Sequence, residues 1–126
     1  MERVDGFGGF FFRAKDPKGI AQWYAEHLGV TVTPTDYGGT PWTQTAGPTV
    51  FQPFPESTKY FGDPGKQFML NFRVTNLLAM VHQLQASGVS VDLDPKEYPN
   101  GWFAHLTDPE GNKIELWQPK APEAKK

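Results

Sequence analysis

Apolar side chains recur at helical spacing in two places along the chain. The first series comprises Ile20, Trp23, Tyr24 and Leu28, and the second comprises Leu77, Met80, Val81 and Leu84. Spacings of three and four residues place side chains on one face of a helix. Asp16 and Asn76 precede the two series as potential N-caps, Pro17 suits a first helical turn, and Gly29 and Gly88 follow as stops. The pattern therefore predicts two amphipathic helices.

Short runs rich in β-forming residues surround both helices in the same order. They cover residues 10–14, 31–35, 42–45 and 49–54 in the first half, and residues 68–74, 90–93, 102–107 and 113–117 in the second. The halves also align directly, since residues 11–16 match residues 71–76 at an offset of 60. A repeat of this kind indicates duplicated structural units. The sequence predicts an α+β fold built from two tandem βαβββ modules.

The boundaries of these modules follow from composition. We expect one domain over residues 1–126, with module one at about 7–54, a linker rich in proline, glycine and charge at about 55–66, module two at about 67–119, and a flexible tail at 120–126. A length of 126 residues suits a single domain.

Charge and composition limit the classes of molecule that the protein is expected to bind. The net charge is −2, and the twelve basic residues are scattered, so no basic stripe suggests nucleic-acid binding. No apolar stretch approaches the ~20 residues of a membrane span, and the N-terminus has no signal-peptide pattern, which predicts no membrane partner and a cytoplasmic location. The absence of cysteine excludes disulfides and thiolate ligands.

The last hairpin carries the most specific motif. Residues 108–112 read Asp-Pro-Glu-Gly-Asn, a turn in which glycine can adopt positive φ, and residues 114–116 read Ile-Glu-Leu. Together with the helix from Asp16 through Trp23 to Gly29, they resemble the vicinal-oxygen-chelate superfamily over residues 7–119. That superfamily includes glyoxalase I, extradiol dioxygenases, methylmalonyl-CoA epimerase, fosfomycin-resistance enzymes and bleomycin-binding proteins that catalyse nothing. The resemblance implies a curved mixed sheet with a cleft, and a homodimer.

The resemblance also implies four positions for metal ligands. They fall on Gly9, on Met69, near Phe51 or Gln52, and on Glu115. Glycine has no donor atom, and a thioether suits soft metals. We therefore expect no cofactor, with Glu115 as a residual ligand. A divalent metal remains the alternative, through a register shift that recruits another donor.

Strand parity defines the expected cleft. With Gly9, Met69 and Glu115 facing the cleft, side chains two residues away share that face. The ligand-binding candidates are Phe11, Arg13, Trp42, Gln52, Asn71, Arg73, Phe103 and Trp117, and Lys113 lies on the same face. The helix-facing set is Phe10, Phe12, Leu70, Phe72, Val74, Ile114 and Leu116. Glu115 and His105 are the catalytic candidates. In the alternative reading, Arg13, Arg73 and Glu115 only neutralise one another, and His105 is a structural histidine.

Three functions fit this sequence. The first is a binding protein for a small anionic or aromatic ligand, with a degenerate metal site. The alternative is a metal-dependent lyase, isomerase or dioxygenase that uses Glu115, as in glyoxalase I. The third is a structural domain whose cleft is filled by its own aromatic side chains. Whether the chain is an enzyme stays open.

Overall fold

A computed structural model describes residues 1–120 of the protein. Its elements are helix α1 (Pro17–Leu28), strand β1 (Leu70–Arg73), helix α2 (Leu77–Ala86), and strands β2 (Asp92–Leu93), β3 (Gly101–Thr107) and β4 (Lys113–Pro119). The expected flexible tail lies outside the described residues except for Lys120. Within the described part, no helix is long and apolar enough to cross a membrane.

Local signals set the helix ends as the sequence predicts. The Asp16 side chain accepts a hydrogen bond from the Gly19 N–H at 3.0 Å, and Asn76 does the same for Ala79 at 3.0 Å. These bonds satisfy amide groups that have no partner inside the helix. Gly29 ends α1 with φ at 72°, in the left-handed region that favours glycine.

The four strands form one mixed sheet in the order β1-β4-β3-β2. The outer strand β1 runs parallel to β4, whereas β4, β3 and β2 are antiparallel neighbours. The predicted α+β class is therefore confirmed, and the second half has the predicted βαβββ order. The strand β2 is shorter than the predicted run at residues 90–93.

The helices cover one face of this sheet. Ile114 and Leu116 point to that face and are fully buried, and Leu70, Phe72 and Val74 pack against the same core. The predicted alternation is thus confirmed for the second half. The opposite face of β1, β3 and β4 stays available for a site.

The first half differs from the prediction. Among the described residues, none of the four runs predicted in residues 10–54 forms a strand, and the side chains of Phe10 and Phe12 are exposed to solvent instead of lying under a helix. Pro34 and Pro53 remove amide donors from two of these runs, and Pro48 removes the donor just before the last run. A strand also needs a neighbour to pair with, and the described chain supplies none here.

The turn at residues 108–112 joins the two halves. Asp108 is buried, accepts from the Tyr24 hydroxyl at 2.7 Å and also accepts from the Asn112 N–H at 3.0 Å. The Glu110 carboxylate accepts from the backbone N–H groups of Lys15 and Asp16, at 2.6 and 3.0 Å. The start of α1 is therefore fixed to the β3–β4 turn of the other half.

Candidate ligand-binding site

Strand register places the candidate side chains in two parallel rows across the open face of the sheet. Asn71 lies beside Glu115, which lies beside His105, and this is the polar row. The next row on the same face lies two residues away on each strand. In it Arg73 lies beside Trp117, which lies beside Phe103, and this is the aromatic row. The alternation of side chains puts both rows on the same face.

Glu115 is the centre of the polar row. Its Oε1 accepts from Asn71 at 2.7 Å, and its Oε2 accepts from the Tyr60 hydroxyl at 2.6 Å. His105 Nε2 lies 2.8 Å from the same Oε2. Because a carboxylate only accepts, the His105 nitrogen carries the proton in this contact. Three donors therefore converge on a single buried carboxylate.

These contacts set the acid–base behaviour of the row. Burial alone raises the pKa of Glu115, but its hydrogen bonds with His105, Tyr60 and Asn71, and then the charge of His105, outweigh burial and lower the pKa below its usual range. Burial, followed by the hydrogen bond to Glu115 and its charge, raises the pKa of Tyr60 well above its usual value. The row thus holds an ionised carboxylate next to a neutral phenol.

A cavity of about 350 Å³ lies over these rows, and we call it the Glu115 cavity. Its lining residues are Val50, Gln52, Phe54, Tyr60, Phe61, Met69, Asn71, Asn100, Phe103, Glu115 and Trp117. The rings of Phe103 and Trp117 are nearly parallel, with an interplanar angle of 6° and centroids 6.4 Å apart. The Trp117 Nε1 donates to the Asn100 carbonyl at 2.8 Å, which fixes the indole orientation. The cavity therefore has a flat aromatic wall beside a polar group.

A second cavity of about 220 Å³ adjoins the first, and we call it the Arg73 cavity. Val50, Asn71 and Trp117 line both cavities. Arg73 and Trp42 line only the second. The prediction of a cleft filled by the protein's own side chains is wrong, because both cavities contain free space.

Seven of the predicted site residues come together around the two cavities. They are Trp42, Gln52, Asn71, Arg73, Phe103, Glu115 and Trp117, and Met69 joins them. His105 contacts the site through Glu115. Two other candidates do not join: Phe11 is almost fully exposed beside Gly9, and Arg13 lines neither cavity. The cause is that residues 10–14 do not form the predicted strand. In a strand, the alternation of side chains would have directed Phe11 and Arg13 toward the cleft.

The alternative in which Arg13, Arg73 and Glu115 neutralise one another is also wrong. Within residues 1–120, Glu115 forms its ion pair with His105, and neither arginine lies within ion-pair distance of a carboxylate. Arg73 instead donates from Nη2 to the Thr45 carbonyl at 3.0 Å.

Tyr60 is the site residue that the sequence did not reveal. It lies in the segment predicted as a linker, and the aromatic residues Phe54, Tyr60 and Phe61 all line the Glu115 cavity. Lys113 holds this segment, because its Nζ donates to the Tyr60 carbonyl at 2.6 Å and lies 4.1 Å from the ring centroid. The available signal was the pair of aromatic residues, Tyr60 and Phe61, in a linker otherwise rich in proline and glycine.

Comparison with known proteins agrees with this architecture. A family model described as a glyoxalase-like domain matches residues 9–117. The structure of TnmS3, an antibiotic binding protein from Streptomyces sp. CB03234, matches with a TM-score of 0.63 and 27% identity, over 95% of this chain and 100% of that one. A glyoxalase family protein from Bacillus anthracis matches with a TM-score of 0.54 and 22% identity, over 82% of this chain and 84% of that one.

A glyoxalase/bleomycin resistance protein from Streptomyces sp. CB03234 is also similar, with 43% identity and a TM-score of 0.36, over 39% of this chain and 42% of that one. No curated protein matches the chain. The family model and the match to TnmS3 support membership of the vicinal-oxygen-chelate superfamily. Within it, the chain belongs to the glyoxalase-like domain family, because that family model covers most of its length.

Many members of this superfamily use a divalent metal, so the donor set needs a test. Residues 1–120 contain no group of three or more His, Asp or Glu side chains placed to hold a metal ion. Glu115 and Gln52 line the same cavity, but both Glu115 oxygens already accept protein hydrogen bonds. A catalytic metal generally needs about three protein ligands. The donors present do not fit a site of the family type.

Proposed function

We propose that the chain is a binding protein for a small, flat organic molecule that contacts the aromatic row in the Glu115 cavity and leaves chemically unchanged. TnmS3, similar over nearly the whole chain, is an antibiotic binding protein, and a ligand of that general kind suits this cleft. The proposed contacts are stacking on Phe103 and Trp117, and hydrogen bonds with Asn71 and Gln52.

The observation that carries this proposal is the aromatic wall of the Glu115 cavity. Flat aromatic surfaces next to a few polar groups are typical of small-molecule sites. The two rings lie on neighbouring strands of a sheet, so their positions are fixed before a ligand arrives. A preformed wall of this kind lowers the ordering cost of binding.

The state of Glu115 favours binding over catalysis. A general base needs a lone pair directed at the substrate proton and a pKa near the working pH. Three protein donors contact the Glu115 oxygens, and its pKa is lowered. Glu115 is therefore suited to organising the polar row, and His105 to a structural role beside it.

The first experiment screens planar aromatic natural products by thermal shift and measures each hit by calorimetry. Phe103→Ala should weaken binding by about ten-fold or more, because it removes half of the aromatic wall. Tyr37→Ala is the matched control, since Tyr37 is fully exposed and lines neither cavity. Chromatography after prolonged incubation should return the ligand unaltered. Turnover of the ligand, or unchanged affinity in Phe103→Ala, would contradict the proposal.

A metal-dependent lyase, isomerase or dioxygenase is the second candidate, favoured by the presence of Gln52 and Glu115 in one cavity. Elemental analysis and calorimetry with nickel, zinc, manganese and iron(II) test it, comparing the wild type with Glu115→Ala. We expect no stoichiometric binding. Stoichiometric binding that Glu115→Ala abolishes would replace the binding-only proposal.

We also propose that two copies of the chain associate. The side chains of Phe7, Phe11, Val50 and Phe51 are more than half exposed, and the edge of β1 has no further strand beside it within the described residues. Large exposed apolar areas are typical of protein interfaces. Sedimentation equilibrium should give a dimer mass for the wild type and a monomer mass for Phe51→Lys. A monomeric wild type at tens of micromolar would refute the association.

The cytoplasmic location stays a prediction.

A further inference from the structure

The Arg73 cavity has a different chemistry from the Glu115 cavity. Arg73 is half-buried on β1, and its cavity is lined by Trp42, Asn71 and Trp117 together with threonine and aliphatic side chains. Within residues 1–120, neither of the two ion pairs involves Arg73. No Asp or Glu lines the Arg73 cavity, so the guanidinium charge leaves a positive potential in that cavity.

Most of the hydrogen-bonding capacity of Arg73 is available to a ligand. The guanidinium group has five N–H donors in a planar fork, and one of them contacts the Thr45 carbonyl at 3.0 Å. That single bond holds one end of the group without neutralising its charge. The fork matches a carboxylate in a bidentate arrangement.

Gly47 gives the guanidinium group its space. A Cβ added at Gly47 would overlap Nη1 of Arg73, so only a residue without a side chain leaves the group where it lies. The loop that supplies Thr45 and Gly47 thus positions the cation on two sides.

The cation and the aromatic wall are parts of one row. Arg73 is the register partner of Trp117 on β4, and Trp117 is the partner of Phe103 on β3. Neighbouring strands lie about 4.8 Å apart, so the row presents a cation and two rings within the length of a small aromatic acid. Trp117 and Asn71 line both cavities, which makes the two spaces adjacent.

We infer that the Arg73 cavity binds the carboxylate of an aromatic acid whose ring lies against Trp117 and Phe103. This inference rests on the proposed binding function and names the chemical class of its ligand. Trp117 supplies the surface shared by the two parts of the ligand, and Arg73 distinguishes an acid from its neutral analogue.

The test compares two probes of the same shape, 2-naphthoate and 2-naphthamide, by calorimetry at pH 7. The wild type should bind the acid about ten-fold or more tightly than the amide, as expected for a charge-assisted bidentate contact. Arg73→Gln should remove this preference, and Arg73→Lys should retain part of it. Arg3→Gln is the matched control, because it makes the same charge change at an exposed residue outside both cavities.

Gly47→Ala provides a second variant that leaves Arg73 in the chain. It should displace the guanidinium group and reduce the preference for the acid while the circular dichroism spectrum stays unchanged. This variant keeps the inference testable if Arg73→Gln fails to fold.

Equal affinity of the wild type for both probes, together with weaker binding of both in Phe103→Ala, would overturn the acid specificity and leave the proposed function intact. The same inference falls if neither naphthalene probe binds while another planar compound does. If no planar compound binds at all, both the inference and the proposed function fail.

Discussion

Glu115 is a buried charge that the protein stabilises with three side chains. A buried ionised carboxylate is costly unless hydrogen bonds replace its lost water. Asn71, Tyr60 and His105 supply these bonds from β1, the predicted linker and β3. The lowered pKa of Glu115 means that the folded state binds its ionised form in preference to its protonated form.

We predict a pH-dependent loss of stability that depends on Glu115. Because its folded-state pKa is depressed, the contribution is complete above the unfolded-state value of about 4.3 and is lost as the pH falls through the lower folded-state value. Urea unfolding from pH 7 to pH 3 should show the wild type losing stability faster than Glu115→Gln below about pH 4. Parallel pH profiles for the two proteins would contradict this origin.

At the scale of elements, polar bonds at one turn anchor α1 to the sheet, in addition to the core packing of Ile20 and Tyr24. Burial, followed by the hydrogen bond to Asp108 and its charge, raises the pKa of Tyr24 far above its usual value. The same Asp108 carboxylate accepts from the Glu110 and Asn112 N–H groups at 2.9 and 3.0 Å, so one side chain closes the turn and anchors the helix. The sequence motif at residues 108–112 is therefore structural in this protein.

We expect Tyr24→Phe to lower the free energy of unfolding by about 1–3 kcal/mol, because the Asp108 carboxylate loses a charged, buried hydrogen bond while the ring packing stays. Tyr37→Phe removes a hydroxyl from a fully exposed side chain and should change stability by less than about 0.5 kcal/mol. Chemical unfolding of both variants and of the wild type measures the difference. Equal stability of Tyr24→Phe and Tyr37→Phe would show that the Tyr24–Asp108 bond contributes nothing.

The prediction of α1 and α2 from sequence succeeds because helix signals are local. The caps at Asp16 and Asn76 and the stop at Gly29 act within a few residues, and a short turn joins the antiparallel strands β3 and β4. Tyr60 could not be assigned, since its contact with Glu115 spans 55 positions and depends on how the linker folds back. Local patterns carry no information about such a contact.

At the scale of the whole molecule, the first-half strands failed for a related reason. Their β-rich composition is real, but a strand exists only with a partner, and composition does not specify one. The alternation of side chains along a strand correctly predicted that Asn71, Arg73 and Trp117 face the cleft, because these residues lie in paired strands. The same rule gave a wrong result for Phe11 and Arg13, because these residues do not lie in a strand.

The bond between Tyr24 and Asp108 also bears on how the chain is made. These side chains are 84 positions apart, so α1 leaves the ribosome long before the acceptor for its buried hydroxyl has been synthesised. Contacts of such long sequence separation form late and slowly. During synthesis Ile20 and Tyr24 of α1 must therefore stay unburied until the C-terminal hairpin has been made, because that hairpin completes the core in which they lie.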